Sequence, residues 1–261
     1  MLYPTSFLEH LGEILLQIDF IWPRYLEGSN KPYHFLSLKY VQPFKLHLFI
    51  RIKSQTTTEV LNAFYALFFL LKYPIPNVLQ MDNDSAFRWF IERKGCIGRI
   101  IRWACSNGII PLFNAPSSPW NNGSVEGGNS VFDKKFWQKF HFNSLEELDW
   151  KLEEFNQAYK TYLIKDSAEI IQQKRKLTDP RKKYKKLSES PQLKIYFLRI
   201  VKERFKKCYV EVLNYYINLP AKFKGQFVII EISLDVKIVR IYQEIEKQKI
   251  LIYQSSILLN N

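Results

Sequence analysis

Three acidic residues, Asp19, Asp82 and Glu126, stand in contexts that could aim their carboxylates at one point. Asp19 lies within the apolar run 14–21, and Asp82 ends a second apolar run that starts at residue 77. Glu126 follows a turn sequence and opens a predicted helix. Because a carboxylate beside an apolar strand is costly unless it binds a metal or is paired, the three acids together predict a site for divalent metal ions acting on phosphodiesters.

Each acid also has an ordinary structural interpretation. The sequence Asp82-Asn83-Asp84 is typical of an Asx turn that closes a strand. Glu126 could belong to a turn followed by a helix cap. Asp19 is harder to explain in this way, because nothing nearby in sequence neutralises its charge. The combination of the three acids, more than any one of them, favours a catalytic site.

The elements that must position these acids alternate between strand and helix patterns. Strands are predicted at about 14–22, 33–41, 45–53, 78–81 and 109–113. Helices are predicted at about 60–73, within 85–107, at 124–141 and at 143–163, and Thr56-Thr57-Thr58-Glu59 offers an N-cap signature for the first. The resulting β-β-β-α-β-α-β-α order predicts an α/β sheet protein and excludes a helical bundle.

The character of the chain changes after about residue 195. Apolar runs with strand character, separated by turn residues, are found at 196–203, 207–219, 227–232, 236–244 and 249–257. This pattern predicts a small β-rich C-terminal domain, either a barrel or a sandwich.

The acids lie in three longer sequence blocks. The first comprises Leu16-Gln17-Ile18-Asp19 with residues 22–26, the second residues 79–87, and the third residues 108–113 with 116 and 119–126. In content and order these blocks resemble the integrase catalytic core of DDE transposases and retroviral-type integrases, and in particular the members found in bacterial insertion sequences. The resemblance covers about residues 12–165.

The resemblance implies an RNase H-like fold, a mixed sheet flanked by helices, with the two aspartates on neighbouring strands and the glutamate on a packed helix. It divides the chain into a catalytic core at 1–165, a basic linker at 166–194 and a DNA-binding β-rich domain at 195–261. Asp19, Asp82 and Glu126 would hold two Mg²⁺ ions, or Mn²⁺, with Asp19 contacting both. Water would be the nucleophile for strand cleavage and a DNA 3′-hydroxyl for strand transfer.

Three departures from the family pattern bear on activity. Asp84 stands where a glycine is common, and Asp82 and Glu126 are 44 positions apart, more than in many members. Gly127-Gly128 follow the glutamate and cost a helix about 2 kcal/mol relative to alanines. Only eighteen residues precede Asp19, so a transposase truncated at its N-terminus is expected. These features favour an alternative, a catalytically inactive DNA-binding remnant; a second alternative is an RNase H-like nuclease without strand transfer.

The net charge of +13 is concentrated in the second half of the chain. Residues 1–159 hold 16 basic and 15 acidic residues, whereas residues 160–261 hold 22 basic and 10 acidic. Dense basic clusters favour a polyanion through counterion release, although a basic run can also be a solvated linker. The residues predicted to contact DNA are Lys134, Lys135, Lys174, Arg175, Lys176, Arg181, Lys182, Lys183, Lys185 and Lys186.

Apolar runs and cysteine spacing indicate the cellular location of the chain. No apolar run is long enough to span a bilayer, and the acidic residues near the start do not fit a signal peptide, so no membrane partner is expected. The three cysteines are scattered and not spaced for zinc. The expected location is the bacterial cytosol or nucleoid, with DNA as partner; the resemblance implies a homo-oligomer.

Overall fold

The computed structural model describes residues 4–43, 45–87, 93–116, 123–164, 177–182, 187 and 190–260. For residues 123–126 and 164 it describes the backbone alone. No helix in these described ranges is long and apolar enough to cross a bilayer.

Twelve strands and five α-helices are found in the described ranges. The strands are β1 Leu15–Tyr25, β2 Pro32–Gln42, β3 Leu46–Ile52, β4 Val78–Met81, β5 Ile110–Phe113, β6 Lys194–Ile200, β7 Lys202–Arg204, β8 Lys207–Val212, β9 Tyr215–Leu219, β10 Phe227–Ser233, β11 Ile238–Ile245 and β12 Gln248–Ser256. The helices are α1 Thr5–His10, α2 Thr57–Tyr65, α3 Arg99–Ser106, α4 Gly123–Phe132 and α5 Leu145–Ile164. One π-helical turn, Ala66–Leu70, follows α2 and another, Asp133–Trp137, follows α4. The predicted α/β class is confirmed.

The chain forms two compact units that are both discontinuous in sequence. The first unit comprises Met1–Glu13, Asn77–Ser118 and Lys176–Asn261, and the second comprises Ile14–Pro76 and Pro119–Arg175. This division differs from a core at 1–165 followed by a linker and a separate C-terminal domain. The physical reason is that β6 hydrogen-bonds to β5, which ties residues after 190 to residues before 119.

The second unit is built on the predicted meander β1-β2-β3, whose strands pair antiparallel. The registers place Asp19 opposite Ser37, and Ser37 opposite Phe49. Residues opposite one another point to the same face of a sheet, so these three share a face. Helices α4 and α5 cover that face and bury an apolar cluster formed by Ile21, Phe35, Phe49, Phe132, Phe136, Leu148 and Leu152.

Strand β3 is the last strand of its sheet in the described part of the chain. The side-chain amide of Asn156, from α5, reaches the backbone of Phe49 on this strand. Asn156 Oδ1 accepts from the Phe49 N–H at 3.0 Å, and Asn156 Nδ2 donates to the Phe49 carbonyl at 2.8 Å. The amide therefore takes both hydrogen bonds that a neighbouring strand would make at this position.

The predicted start of α2 is confirmed at the level of its cap. Thr56 has extended backbone and its hydroxyl accepts from the Glu59 N–H at 3.4 Å. The same glutamate reaches back to the backbone N–H of Lys53 at 3.0 Å. Two donors at the helix start are satisfied in this way, because the first turn of a helix has no partners of its own.

The first unit contains a mixed sheet with the strand order β4-β5-β6-β10-β11-β12. The pairs β4–β5 and β5–β6 are parallel, and β6–β10, β10–β11 and β11–β12 are antiparallel. Strands β7, β8 and β9 form a separate antiparallel sheet. The C-terminal part is thus β-rich as predicted, but its described strands do not close into a barrel, because four of them extend the sheet that contains β4 and β5.

A buried carboxylate ties the outer strands of this mixed sheet together. Glu231 on β10 is 2% exposed, and its Oε2 accepts from the Tyr196 hydroxyl at 2.9 Å. Three cations surround it: Lys194 Nζ at 3.4 Å, Lys249 Nζ at 3.5 Å and Arg240 Nη1 at 3.2 Å. Burial raises the pKa of Tyr196, and the adjacent Glu231 charge raises it further. One acid on β10 therefore links β6, β11 and β12.

Candidate functional site

Asp19 lies midway along β1, in the second unit, and is half-buried. Asn129 of α4 donates from Nδ2 to Asp19 Oδ2 at 3.4 Å. Helix α4 also carries Glu126. The structure therefore brings the helix of the predicted glutamate against the predicted aspartate, although the Glu126 side chain itself lies outside the described atoms.

A buried histidine lies on the same face of the sheet as Asp19. His47 on β3 shares a 2.6 Å hydrogen bond between its Nε2 and the Ser37 Oγ. Burial, and secondarily the charge of Lys39, lowers the His47 pKa from 6.5 to about 3, so the ring is neutral. Among the described residues no protein group hydrogen-bonds to His47 Nδ1 or to Asn129 Oδ1, and both are buried. A polar layer thus lies beneath α4, next to the aromatic core.

Packing explains why a glycine lies at position 128. The sequence alone indicates only that Gly128 lowers helix propensity. A β-carbon at position 128 would overlap the His47 ring, at both Cε1 and Nδ1. At Gly127, by contrast, a β-carbon would meet nothing within 4 Å. Gly128 lets α4 approach β3 closely, whereas Gly127 is exposed and has no such role.

Asp82 belongs to the first unit and directly follows β4, where it is half-buried. Its Oδ1 accepts from the Asp84 N–H at 2.8 Å, which is the Asx turn given above as the structural interpretation. Asp84 in turn accepts from the Ala86 N–H at 2.8 Å. Asp84 is not among the residues with positive φ. The turn therefore needs no glycine at this position, and Asp84 adds a second carboxylate close to Asp82.

Arg199 is a site residue that sequence analysis missed. It lies on β6, is 5% exposed, and donates from Nη2 to Asn83 Oδ1 at 3.0 Å. Its Nη1 donates to the Asn114 carbonyl at 2.9 Å, and Nε donates to the Glu211 carbonyl at 2.8 Å. The guanidinium thereby fixes the residue that follows Asp82. A basic residue in the apolar run 195–201 was the available signal.

Four of the predicted DNA-binding residues lie in the described ranges. Lys134 and Lys135 are exposed on the π-helical turn that follows α4. Arg181 and Lys182 are exposed too, but the Arg181 guanidinium forms a bidentate pair with Asp179, at 2.9 Å from Nε and 2.7 Å from Nη2. Lys174, Arg175, Lys176, Lys183, Lys185 and Lys186 lie outside the described residues.

The predicted metal ligands can be assessed in part. Within the described residues there is no group of three His, Cys, Asp or Glu side chains placed to hold a metal ion. The Glu126 side chain is not among those residues, so the predicted triad stays a prediction. Asp19 and Asp82 fit Mg²⁺ by donor type, since this ion prefers oxygen ligands and each carboxylate has several lone pairs.

Comparisons with known proteins identify no family. No protein-family model matches this chain, and no curated protein matches it. Among solved structures, the C-terminal lobe of a budding yeast Argonaute is similar over 99% of this chain and 41% of that chain, at 8% identity and a TM-score of 0.18. The chain thus spans about two-fifths of that chain's length. At this TM-score the likeness assigns neither fold nor function.

Proposed function

We propose that this chain is a DDE-type transposase or integrase that catalyses metal-dependent DNA strand cleavage and strand transfer, on an RNase H-like core. The observation that carries the proposal is the hydrogen bond from Asn129 to Asp19. It lies between the strand of the first acid and the helix of the third, and the resemblance pairs the same two elements.

The polar layer beneath α4 supports the same proposal. Asp19, Ser37 and His47 share one sheet face with the aromatic core. Buried polar groups are expensive without hydrogen-bond partners, and such groups collect at functional sites. Gly128 is accommodated in the same layer, so its presence does not argue for lost activity.

In this proposal some residues orient the metal ligands and others bind the metal ions. Asn129 would restrain the Asp19 carboxylate, and Arg199 would restrain the loop after Asp82 through Asn83. Asp19, Asp82 and Glu126 would together hold two Mg²⁺ ions. When bound, such ions activate the attacking oxygen and stabilise the leaving oxygen of an in-line displacement at phosphorus.

DNA as the substrate is supported by charge. Residues 160–261 carry an excess of twelve basic residues, 22 against 10. Lys134 and Lys135 are exposed one turn beyond the end of α4, the helix that carries Glu126. Cations at such positions would contact phosphates and fix the position of the DNA without reading its sequence.

The test is an assay of the purified full chain with Mg²⁺ and end-labelled DNA. Strand-transfer products that disappear in both Asp19→Asn and Asp82→Asn support the proposal, and Asp235→Asn, an exposed acid in the turn after β10, is the matched control. Cleavage without joined products would replace the proposal with a nuclease. DNA binding without any metal-dependent reaction would replace it with an inactive DNA-binding remnant.

A further inference from the structure

The small sheet β7-β8-β9 exposes one face that combines cations with aromatic rings. Lys202 is opposite Tyr209, and Arg204 is opposite Lys207. Tyr216 of β9 lies on the same face, since the alternate residues Cys208, Val210, Val212, Ile217 and Leu219 are the buried ones. We call Lys202, Arg204, Lys207, Tyr209 and Tyr216, together with the turn Phe205-Lys206, the basic–aromatic face.

Phe205 stands at the tip of the β7–β8 hairpin in a conformation that a phenylalanine rarely adopts. The two turn residues have φ values of 51° and 60°, as a type I′ turn requires, and Asn-Gly is the preferred sequence there. The Phe205 side chain is nevertheless 86% exposed. Positive φ in a bulky residue is strained, and exposure of the ring adds a hydrophobic penalty.

The turn of the next hairpin, β8–β9, also contains an apolar residue with positive φ, but there the side chain is buried. Leu213, between β8 and β9, also has positive φ, at 47°, but its side chain is fully buried. The free energy gained by burying the Leu213 side chain offsets the cost of its backbone conformation. Phe205 gains no such burial, and the exposed β11–β12 turn Glu246-Lys247 has the same positive φ values with polar side chains, so packing does not account for a large apolar ring at this tip. Strained residues of this kind are more frequent at binding sites.

The rings and charges of this face are arranged for a planar, anionic ligand. The Arg204 guanidinium carbon lies 5.1 Å from the centre of the Phe205 ring. Tyr216 is 65% exposed, and its ring centre is 5.5 Å from that of Tyr209 in an edge-to-face arrangement. The face carries one acid, Glu211, and four cations, Lys202, Arg204, Lys206 and Lys207. The other acid of this segment, Glu203, lies on the opposite face and is paired with Lys224.

We propose that the basic–aromatic face binds single-stranded nucleic acid. Unstacked bases would lie on Phe205, Tyr216 and Tyr209, and the four cations would contact the phosphates. Stacking on exposed rings requires bases that are not already stacked in a duplex, which selects single strands. An acidic segment without planar or apolar side chains, such as polyglutamate, would use the cations but could not stack on Phe205.

The proposal goes beyond the catalytic function and does not depend on it. All residues of the face lie between 202 and 216 in the first unit, and no metal ion is needed. Binding is therefore measured in the presence of EDTA. Strand transfer is measured by its products and this binding by affinity without metal, so the two proposals fail separately.

Fluorescence anisotropy with a labelled oligothymidylate of about fifteen nucleotides tests the proposal, with a duplex of the same length and polyglutamate as competitors. Phe205→Asn and Tyr216→Ala should each weaken binding by about 5- to 100-fold, whereas Tyr216→Phe keeps the ring and should bind as the parent does. Lys207→Gln should lower the slope of log affinity against log salt by about 0.7. The controls are Tyr162→Ala on α5, a ring that is 70% exposed, and Lys247→Gln in the β11–β12 turn.

Phe205→Asn separates binding from folding. Asparagine suits a type I′ turn better than phenylalanine, so this variant should unfold at a higher temperature while binding more weakly. Parent-like affinity in both Phe205→Asn and Tyr216→Ala would overturn the proposal. Stronger competition by the duplex or by polyglutamate than by unlabelled oligothymidylate would overturn it as well.

Discussion

The imidazole of His47 occupies the space beside Gly128 where a β-carbon would lie, so that α4 has no room for a side chain at that point. Its neighbour Gly127 faces open space on the same helix. The two glycines are adjacent in sequence but have opposite environments, which makes them a matched pair.

Gly128→Ala should destabilise the protein by about 1–3 kcal/mol, because the new methyl group forces α4 or His47 to move. Gly127→Ala should stabilise it by about 1 kcal/mol, as helix propensity alone predicts. Urea unfolding of both variants gives the comparison. Equal stabilisation by both substitutions would show that α4 does not pack on His47 as described.

Asn129→Ala should raise the Mg²⁺ concentration needed for half-maximal strand cleavage by about 10- to 100-fold, since groups that orient a ligand affect metal affinity on this scale. Ser130→Ala, an exposed position on the same helix, should behave as the parent does. Thermal melts without metal separate a loss of orientation from a loss of folding. An unchanged Mg²⁺ requirement in a folded Asn129→Ala protein would contradict a role in positioning Asp19.

His47 should make the protein less stable in mild acid. Its pKa is about 3 in the folded protein, against 6.5 for an unperturbed histidine, so between these values the unfolded chain binds a proton that the folded chain does not. The contribution is complete above pH 6.5 and declines as the pH falls toward 3, by up to about 1.4 kcal/mol per pH unit.

The check is the free energy of unfolding as a function of pH. A His47→Gln variant should show a flatter profile between pH 6.5 and 3. His141→Gln should retain the parent's profile, because the His141 side chain is 92% exposed. A parent-like slope in His47→Gln would mean that other groups cause the acid sensitivity.

Glu231→Gln should lower the free energy of unfolding by about 3 kcal/mol. The substitution keeps an acceptor for Tyr196 but leaves Lys194, Arg240 and Lys249 without the carboxylate they share, and the loss of one partner of a buried ion pair is strongly destabilising. The environment lowers the pKa of Glu231: burial opposes ionisation, but Tyr196, Lys249 and Lys194 together outweigh it. Its stabilising effect is therefore present above the ordinary glutamate pKa and lost as the pH falls below it.

Guanidinium or urea melts at neutral pH measure the effect. Glu244→Gln on β11 is the control, since that carboxylate accepts two backbone hydrogen bonds, from Ser6 and Phe7 near the start of α1, and forms no ion pair within the described residues. A change of less than about 1 kcal/mol in Glu231→Gln would show that the cations are satisfied by solvent.

Local patterns predicted the elements of the second unit well. The three strands of the meander, the cap at Thr56 and the long helix α5 follow from alternation, capping chemistry and apolar periodicity. In the first unit, strand β4 has the bounds predicted for it, 78–81. Because these features depend on residues close in sequence, they could be predicted without a structure.

What could not be predicted depends on contacts between distant residues. Nothing local indicates that β6 pairs in parallel with β5, more than eighty positions earlier, and this pairing alone replaces a separate domain with a shared sheet. The sequence predicts one strand over 207–219, because Leu213-Asn214 contains no glycine or proline, whereas the structure has a turn there in which both residues adopt positive φ. Asn129 and Arg199 gain their roles only from what the fold places beside them.

The amide of Asn156 has a consequence for how this protein behaves at high concentration. A bare outer strand is a template on which a strand of another molecule can grow, and Asn156 occupies the donor and the acceptor of Phe49 that such a strand would need. One side chain thus blocks edge-to-edge aggregation at the midpoint of β3, where the strand is otherwise short and rich in apolar residues.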